Sequence, residues 1–229
     1  MNVTKMELKL KNLTDSLLDK EKKSRHIISE ALSIAKTPYC VLTGEMNSLV
    51  VLHLIKLLQD GSINLPVLHI DTTVEFPEIY QFIEKMQRLW GFRLVRERND
   101  EALRTITIAE DKELCCRLLK TEALRNAIHK YGIDYLFLPK RLDEKGEDPF
   151  FSVQGKCTLV DPLSHFSEED SWQYIKKYNL PHCSLWDQDH TEIVCYLCTP
   201  SHLDKRKKMI NDITVDKKIA EKLKELGYL

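Results

Sequence analysis

Short apolar runs of strand type alternate with amphipathic helical stretches along most of this chain, and that alternation restricts the fold more than any other feature. Tyr39-Cys40-Val41-Leu42 is the first such run; it ends at Thr43-Gly44, and an apolar helical segment follows from Ser48 to Leu58. Leu65 to Ile70 gives a second strand, Pro77 to Trp90 a helix, and Phe92 to Val95 a third strand. Residues 117–130 carry helical periodicity closed by Gly132, and Tyr135 to Leu138 gives a fourth strand. Repeated βα units of this length predict a mostly parallel sheet with helices on both faces. Residues 5–35 read as a charged helix, with Ser24 a candidate cap before Ile27, and Ser167 with Asp170 matches a capping box. Trp172 and Tyr174 in the helix that follows read as core.

A length of 229 residues suits one α/β domain with helical extensions. The expected division is a helical segment at 1–35, the α/β domain at 36–202 and a basic helical tail at 203–229, with a helix from Ala220 to Leu226 closed by Gly227. A formal charge of −1 argues against wholesale nucleic-acid binding, although Lys205 to Lys208 and later lysines leave RNA or an acidic partner open for the tail. No apolar run approaches the roughly 18 residues of a membrane span, and Met1 to Lys23 lacks a signal peptide's apolar stretch. Seven cysteines without a secretion signal predict a reducing, cytoplasmic setting. Cys40, Cys157 and Cys183 read as buried small hydrophobes.

Four cysteines form two tight pairs, Cys115-Cys116 and Cys195-x-x-Cys198. Four converging thiolates make a soft-metal site, for an iron–sulfur cluster or for zinc. A C-x-x-C pair alone also serves redox disulfides. Adjacent side chains diverge on a helix or strand, so Cys115 and Cys116 reach two irons more easily than one zinc.

Three turns at strand ends are placed to hold a ligand, because open α/β sheets bind beyond the carboxyl ends of their strands. In Thr43-Gly44-Glu45-Met46-Asn47-Ser48, Gly44 permits a sharp turn, and the amides that open the next helix suit a phosphate or sulfate. Asp71, in Asp71-Thr72-Thr73, either accepts from a ribose or amine or caps the next helix. In Lys140-Arg141-Leu142-Asp143-Glu144 the cations either pair an anionic substrate or form a solvated loop.

The segments Val67-Leu68-His69-Ile70-Asp71-Thr72, Phe76-Pro77-Glu78, Cys115-Cys116-Arg117-Leu118-Leu119-Lys120, Val160-Asp161-Pro162-Leu163 and Cys195-Tyr196-Leu197-Cys198-Thr199 stand in an order that resembles the phosphoadenylylsulfate (PAPS) reductase family. The resemblance covers roughly residues 36–202 and implies an adenine-nucleotide α-hydrolase-like fold. Lys120 to Leu124 and Leu65 to His69 look closer to the small subunit of bacterial ATP sulfurylase, while the paired cysteines look like reductases with a 4Fe-4S cluster. The resemblance implies Cys115, Cys116, Cys195 and Cys198 as cluster ligands and Lys120 as the lysine between cluster and sulfonucleotide. The implied nucleotide-binding set is then Thr43, Gly44, Asn47, Ser48, Asp71, Lys120 and Arg141.

Two departures bear on activity. Nucleotidyl-transferring members of the wider fold carry Ser-Gly-Gly-Lys-Asp-Ser at the first turn. Here Glu45, Met46 and Asn47 replace the second glycine, the lysine and the aspartate. Repulsion between Glu45 and a triphosphate is on the order of 1–4 kcal/mol in a partly dry site. Family reductases also use a nucleophilic cysteine near the C-terminus, and no cysteine follows Cys198. The expected roles are therefore an iron–sulfur, sulfonucleotide-using oxidoreductase-like protein, an ATP-dependent sulfurtransferase or sulfate adenylyltransferase small-subunit-like protein, or a non-catalytic iron–sulfur or regulatory subunit. A redox partner, a partner subunit and self-association are each compatible with these roles.

Overall fold

The computed structural model describes residues 3–141, 151–187 and 195–198. Helix α1 (Val3–Ile34) leads into strand β1 (Pro38–Val41), helix α2 (Met46–Leu58), strand β2 (Val67–Ile70), helix α3 (Pro77–Trp90) and strand β3 (Leu94–Glu97). A short α4 (Asp100–Thr105) and α5 (Lys112–Cys116) precede a π-helical stretch (Arg117–Glu122) that runs straight into α6 (Ala123–Tyr131). Strand β4 (Tyr135–Phe137), the hairpin strands β5 (Phe151–Gln154) and β6 (Cys157–Val160), and α7 (Glu168–Lys177) complete the described elements with a 3-10 turn (Ser184–Asp187).

The strands form one sheet in the order β3-β2-β1-β4-β6-β5. All neighbours are parallel except β5, which pairs antiparallel with β6 at the edge. The expected parallel sheet with helices on both faces is thus present. The β5–β6 hairpin, turned by Gly155 at φ 67, is an addition to what the pattern predicts.

Strand alternation divides the interior into two cores. Cys40 and Leu42 point into the large core with α1, α2, α3 and α7, while Tyr39 and Val41 point into a smaller one with Ala127 of α6. Helix α2 is the central element: every residue from Met46 to Ile55 is buried, so it is apolar nearly all round rather than along one stripe. Its His53 Nδ1 lies 2.9 Å from the hydroxyl of Tyr174, which is buried as expected; Trp172 is only half-buried.

Helix α1 does not begin at Ser24. It runs unbroken past that residue, and the Ser24 hydroxyl donates to the Pro162 carbonyl at 2.8 Å, so it serves a tertiary contact instead of a cap. Farther along the same face, the buried Glu21 accepts from Arg25 (3.0 Å), Lys177 (2.8 Å) and Tyr178, tying α1 to the end of α7. The Ser167–Asp170 capping box forms as the sequence predicts. Among the described residues no helix is long and apolar enough to cross a membrane. Leu142 to Glu144 and the whole of 203–229, with its expected helix, lie outside the described residues.

Candidate functional site

A cavity of about 280 Å³ opens at the carboxyl ends of β1 and β2. The β1 end contributes Val41, Thr43 and Glu45, and the β2 end contributes His69, Ile70, Thr72 and Glu75. Ile79 of α3 and Lys120, Thr121 and Leu124 of the π–α6 segment close the remaining sides. The sheet order reverses beside it, since β1 is flanked by β2 on one side and β4 on the other. Crevices at such reversal points are where open α/β sheets bind ligands.

The turn after β1 is built on Gly44. Its φ of +83 is left-handed, and a Cβ there would stand 2.8 Å from Ile79 Cγ2, so the loop can lie against α3 only without a side chain. The Glu45 amide donates to Thr43 Oγ1 at 3.3 Å, and Ser48 Oγ donates to the Glu45 carbonyl at 2.7 Å. Glu45 is the N-cap of α2 but makes no side-chain capping bond, and its residue lines the cavity.

The turn after β2 carries the acidic and imidazole groups. Asp71 Oδ1 accepts from the Thr73 amide (2.8 Å) and from the Tyr80 hydroxyl (2.7 Å), closing a turn in which Thr73 has φ 63. It does not cap α3, whose N-cap is Phe76 with Pro77 at the first position. His69 Nδ1 lies 3.0 Å from the Leu42 carbonyl, which can only accept, so Nδ1 carries the hydrogen. Its Nε2 faces Glu75 Oε2 at 3.5 Å. Both of those atoms are sealed from solvent, and neither makes a hydrogen bond. Burial holds His69 below the usual imidazole value, against the pull of the Leu42 bond and Asp71. Burial pushes the Glu75 carboxyl up to about 8; Asp71 and Glu45 add to the rise and Lys120 opposes it. At neutral pH these directions describe a protonated carboxyl beside a neutral ring, not an ion pair.

Lys120 sits in the π-helical stretch. The extra residue per turn disturbs the carbonyl ladder there, and Asn99 Nδ2 donates to the Leu118 carbonyl at 3.1 Å. Immediately upstream, Cys115 packs with Ala102 and Leu119, apart from the neighbouring Cys116. Cys195 and Cys198 share one turn, closed by the Cys198 amide on the Cys195 carbonyl at 3.0 Å. The Cys198 thiol is pushed up to about 11 by burial, then by the Cys195 thiol it bonds, with Cys116 adding and Lys112 opposing. Cys198 is therefore within electrostatic reach of both Cys195 and Cys116, and as a donor set the three suit a soft metal. Among the described residues, however, no three or more His, Cys, Asp or Glu side chains are grouped closely enough to hold a metal ion. The cysteine turn leans on the β2 loop: the Tyr196 amide donates to the Val74 carbonyl at 2.8 Å, and its ring meets Phe76 edge-on at 5.2 Å between centroids.

Of the residues expected to bind a nucleotide, Thr43 and Lys120 line the cavity. Gly44 shapes it from behind, Asn47 and Ser48 are buried in the first turn of α2, and Asp71 is turned toward Tyr80. Arg141 bridges to Leu163 beyond β4, outside the cavity lining. The sequence reading passes over His69 and Glu75 as functional groups. The available signal was a titratable residue inside the apolar strand Val67-Leu68-His69-Ile70.

The phosphoadenosine phosphosulfate reductase domain model matches residues 37–201. Sulfate adenylyltransferase subunit 2 of Methylorubrum extorquens is 29% identical, over 72% of this chain and 64% of its own length. The chain thus spans less than two thirds of the curated relative. Among solved structures, PAPS reductase from Candida auris in a phosphate complex superposes with a TM-score of 0.67 at 18% identity, covering 77% of this chain and 90% of that one. FMN adenylyltransferase of Candida glabrata with FAD and pyrophosphate gives 0.62 at 16% identity over 79% and 62%. The U34-tRNA thiolase NcsA of Methanococcus maripaludis with its [4Fe-4S] cluster gives 0.55 at 14% over 73% and 66%. With a family model that covers most of the chain and a parallel sheet of the same type, this protein belongs to the PAPS reductase domain family.

Proposed function

We propose that the chain binds an adenine nucleotide or sulfonucleotide in the cavity beyond β1 and β2 and acts in sulfur metabolism. The carrying observation is that cavity itself, at the strand ends of a PAPS reductase-type sheet, with Lys120 on its wall. Lys120 pairs the phosphate or sulfate, and the apolar side chains of Val41, Ile70 and Leu124 receive the base. Cys115, Cys116, Cys195 and Cys198 hold a 4Fe-4S cluster in this reading, since the Cys198 thiol lies within electrostatic reach of those of Cys195 and Cys116 and an iron cluster tolerates the divergence of the adjacent pair. Such a cluster supplies charge that tunes the electrostatics around Lys120.

Titration calorimetry with AMP tests the nucleotide site. Lys120→Ala should weaken AMP binding at least tenfold, or about 1.4 kcal/mol. An unchanged affinity removes Lys120 from the site. The relatives favour a second reading, a sulfate adenylyltransferase small-subunit role with a partner subunit. Pyrophosphate release from ATP and sulfate, dependent on a partner, is its signature; Glu45 and Met46 in the first turn oppose it.

A further inference from the structure

The cavity carries an unusual charge pattern for a nucleotide site. Two carboxyl residues, Glu45 and Glu75, line it together with a single lysine among the described residues. We propose that the buried Glu75–His69 pair determines which nucleotide this cavity accepts: as a neutral pair it admits a nucleotide of low charge, such as a nucleoside monophosphate, and when Glu75 ionises the cavity rejects it. The proposal rests on the nucleotide reading above and adds its selectivity.

The geometry supports it in three ways. The Leu42 carbonyl fixes the hydrogen on His69 Nδ1, so Nε2 is a bare acceptor aimed at Glu75 Oε2. Both atoms are sealed and make no hydrogen bond, and His69 is only 1% exposed, so a protonated Glu75 is what keeps two bare acceptors from facing each other at 3.5 Å and the carboxyl from being an isolated buried charge. With that proton in place, Glu75 offers the cavity a neutral carboxyl, and among the described lining residues Lys120 is the cation set against Glu45. That arrangement leaves little cationic charge for a triphosphate. The volume of about 280 Å³ is likewise at the small end for a ligand pocket.

The groups that face the pair come from every side. Asp71, Glu45 and Lys120 act on Glu75, Asp71 and Arg96 act on His69, and Tyr80 interacts with both Asp71 and Glu75. Loss of the Glu75 proton sets a third acidic group, beside Glu45 and Asp71, against Lys120.

Calorimetry with AMP and ATP on the full chain between pH 6.5 and 9, for wild type and Glu75→Gln, tests this. The glutamine amide of the variant mimics the protonated carboxyl. Wild type should bind AMP at least tenfold tighter than ATP, and its AMP affinity should fall about tenfold from pH 7 to 9, following one ionisation near pH 8. In the glutamine variant the AMP affinity should be flat across that range. A matching pH profile in the two proteins, or ATP bound as tightly as AMP, overturns the proposal while leaving the nucleotide reading standing. No binding of either nucleotide at any pH overturns both. Carboxyl-carbon NMR of ligand-free wild type provides a separate check: a Glu75 carboxyl still protonated at pH 7 supports the pair, and one ionised there overturns it.

Discussion

Gly44 and Glu75 are the residues on which the cavity's shape and charge most depend. At Gly44 a methyl group meets both a left-handed backbone and Ile79 at 2.8 Å. Gly44→Ala should therefore destabilise the protein by about 1–3 kcal/mol, read as a lower denaturant midpoint, and weaken AMP binding as the loop shifts. The two residues differ in how far the sequence announces them. A glycine directly after an apolar strand signals a turn by its chemistry alone. The partnership of Glu75 with His69 is set by the turn between them, where Thr73 takes φ 63 and Asp71 bonds back to its amide and to Tyr80. No residue spacing encodes that path. Ser24 illustrates the reverse case, a good capping residue whose hydroxyl is taken by Pro162 from 138 positions away.

At the scale of elements, two pieces carry testable weight. The α5–π–α6 segment delivers Cys116 toward the Cys195–Cys198 turn and Lys120 into the cavity within a few residues. Helical periodicity over 117–130 was legible, but the π geometry was not; there the Leu118 carbonyl accepts from Asn99, 19 positions away, a contact that periodicity does not encode. If the thiols hold a cluster, anaerobically purified protein should be brown with roughly four iron and four sulfide per chain, and Cys116→Ser should bleach it. A colourless sample with equimolar zinc moves the site to zinc. The second piece is the α1–α7 clamp. Burial alone would raise Glu21, but the bonds from Lys177 and Tyr178, then the charges of Lys177 and Arg25, outweigh it and hold the carboxyl below 4.5. A depressed folded value means the clamp contributes fully above the ordinary carboxylate range and is lost as pH falls through the folded value. Glu21→Gln should cost about 1–3 kcal/mol at pH 7, measured by denaturant unfolding, and less as the pH is lowered through the titration of Glu21.

Across the whole molecule, the order of strands and helices could be read from punctuation the chain provides itself. Pro77 and Gly91 bracket α3, Gly132 closes α6, and Ser167 with Asp170 starts α7. The β5–β6 hairpin escaped notice because four-residue strands around Gly155-Lys156 leave too little periodicity to count. The lateral order of the sheet is likewise a matter of how βα units wind, and it decides which strands fall at the two edges. One of them, β3, has one flank unpaired among the described residues, a ready template for annealing with a foreign strand. Arg96 and Glu97 stand on it, tethered to Glu84 and to Lys130 with Tyr131. Their charges would have to be stripped of water before another chain could add on, so the border of the sheet is guarded against amyloid-like growth by the same residues that stitch it to α3 and α6.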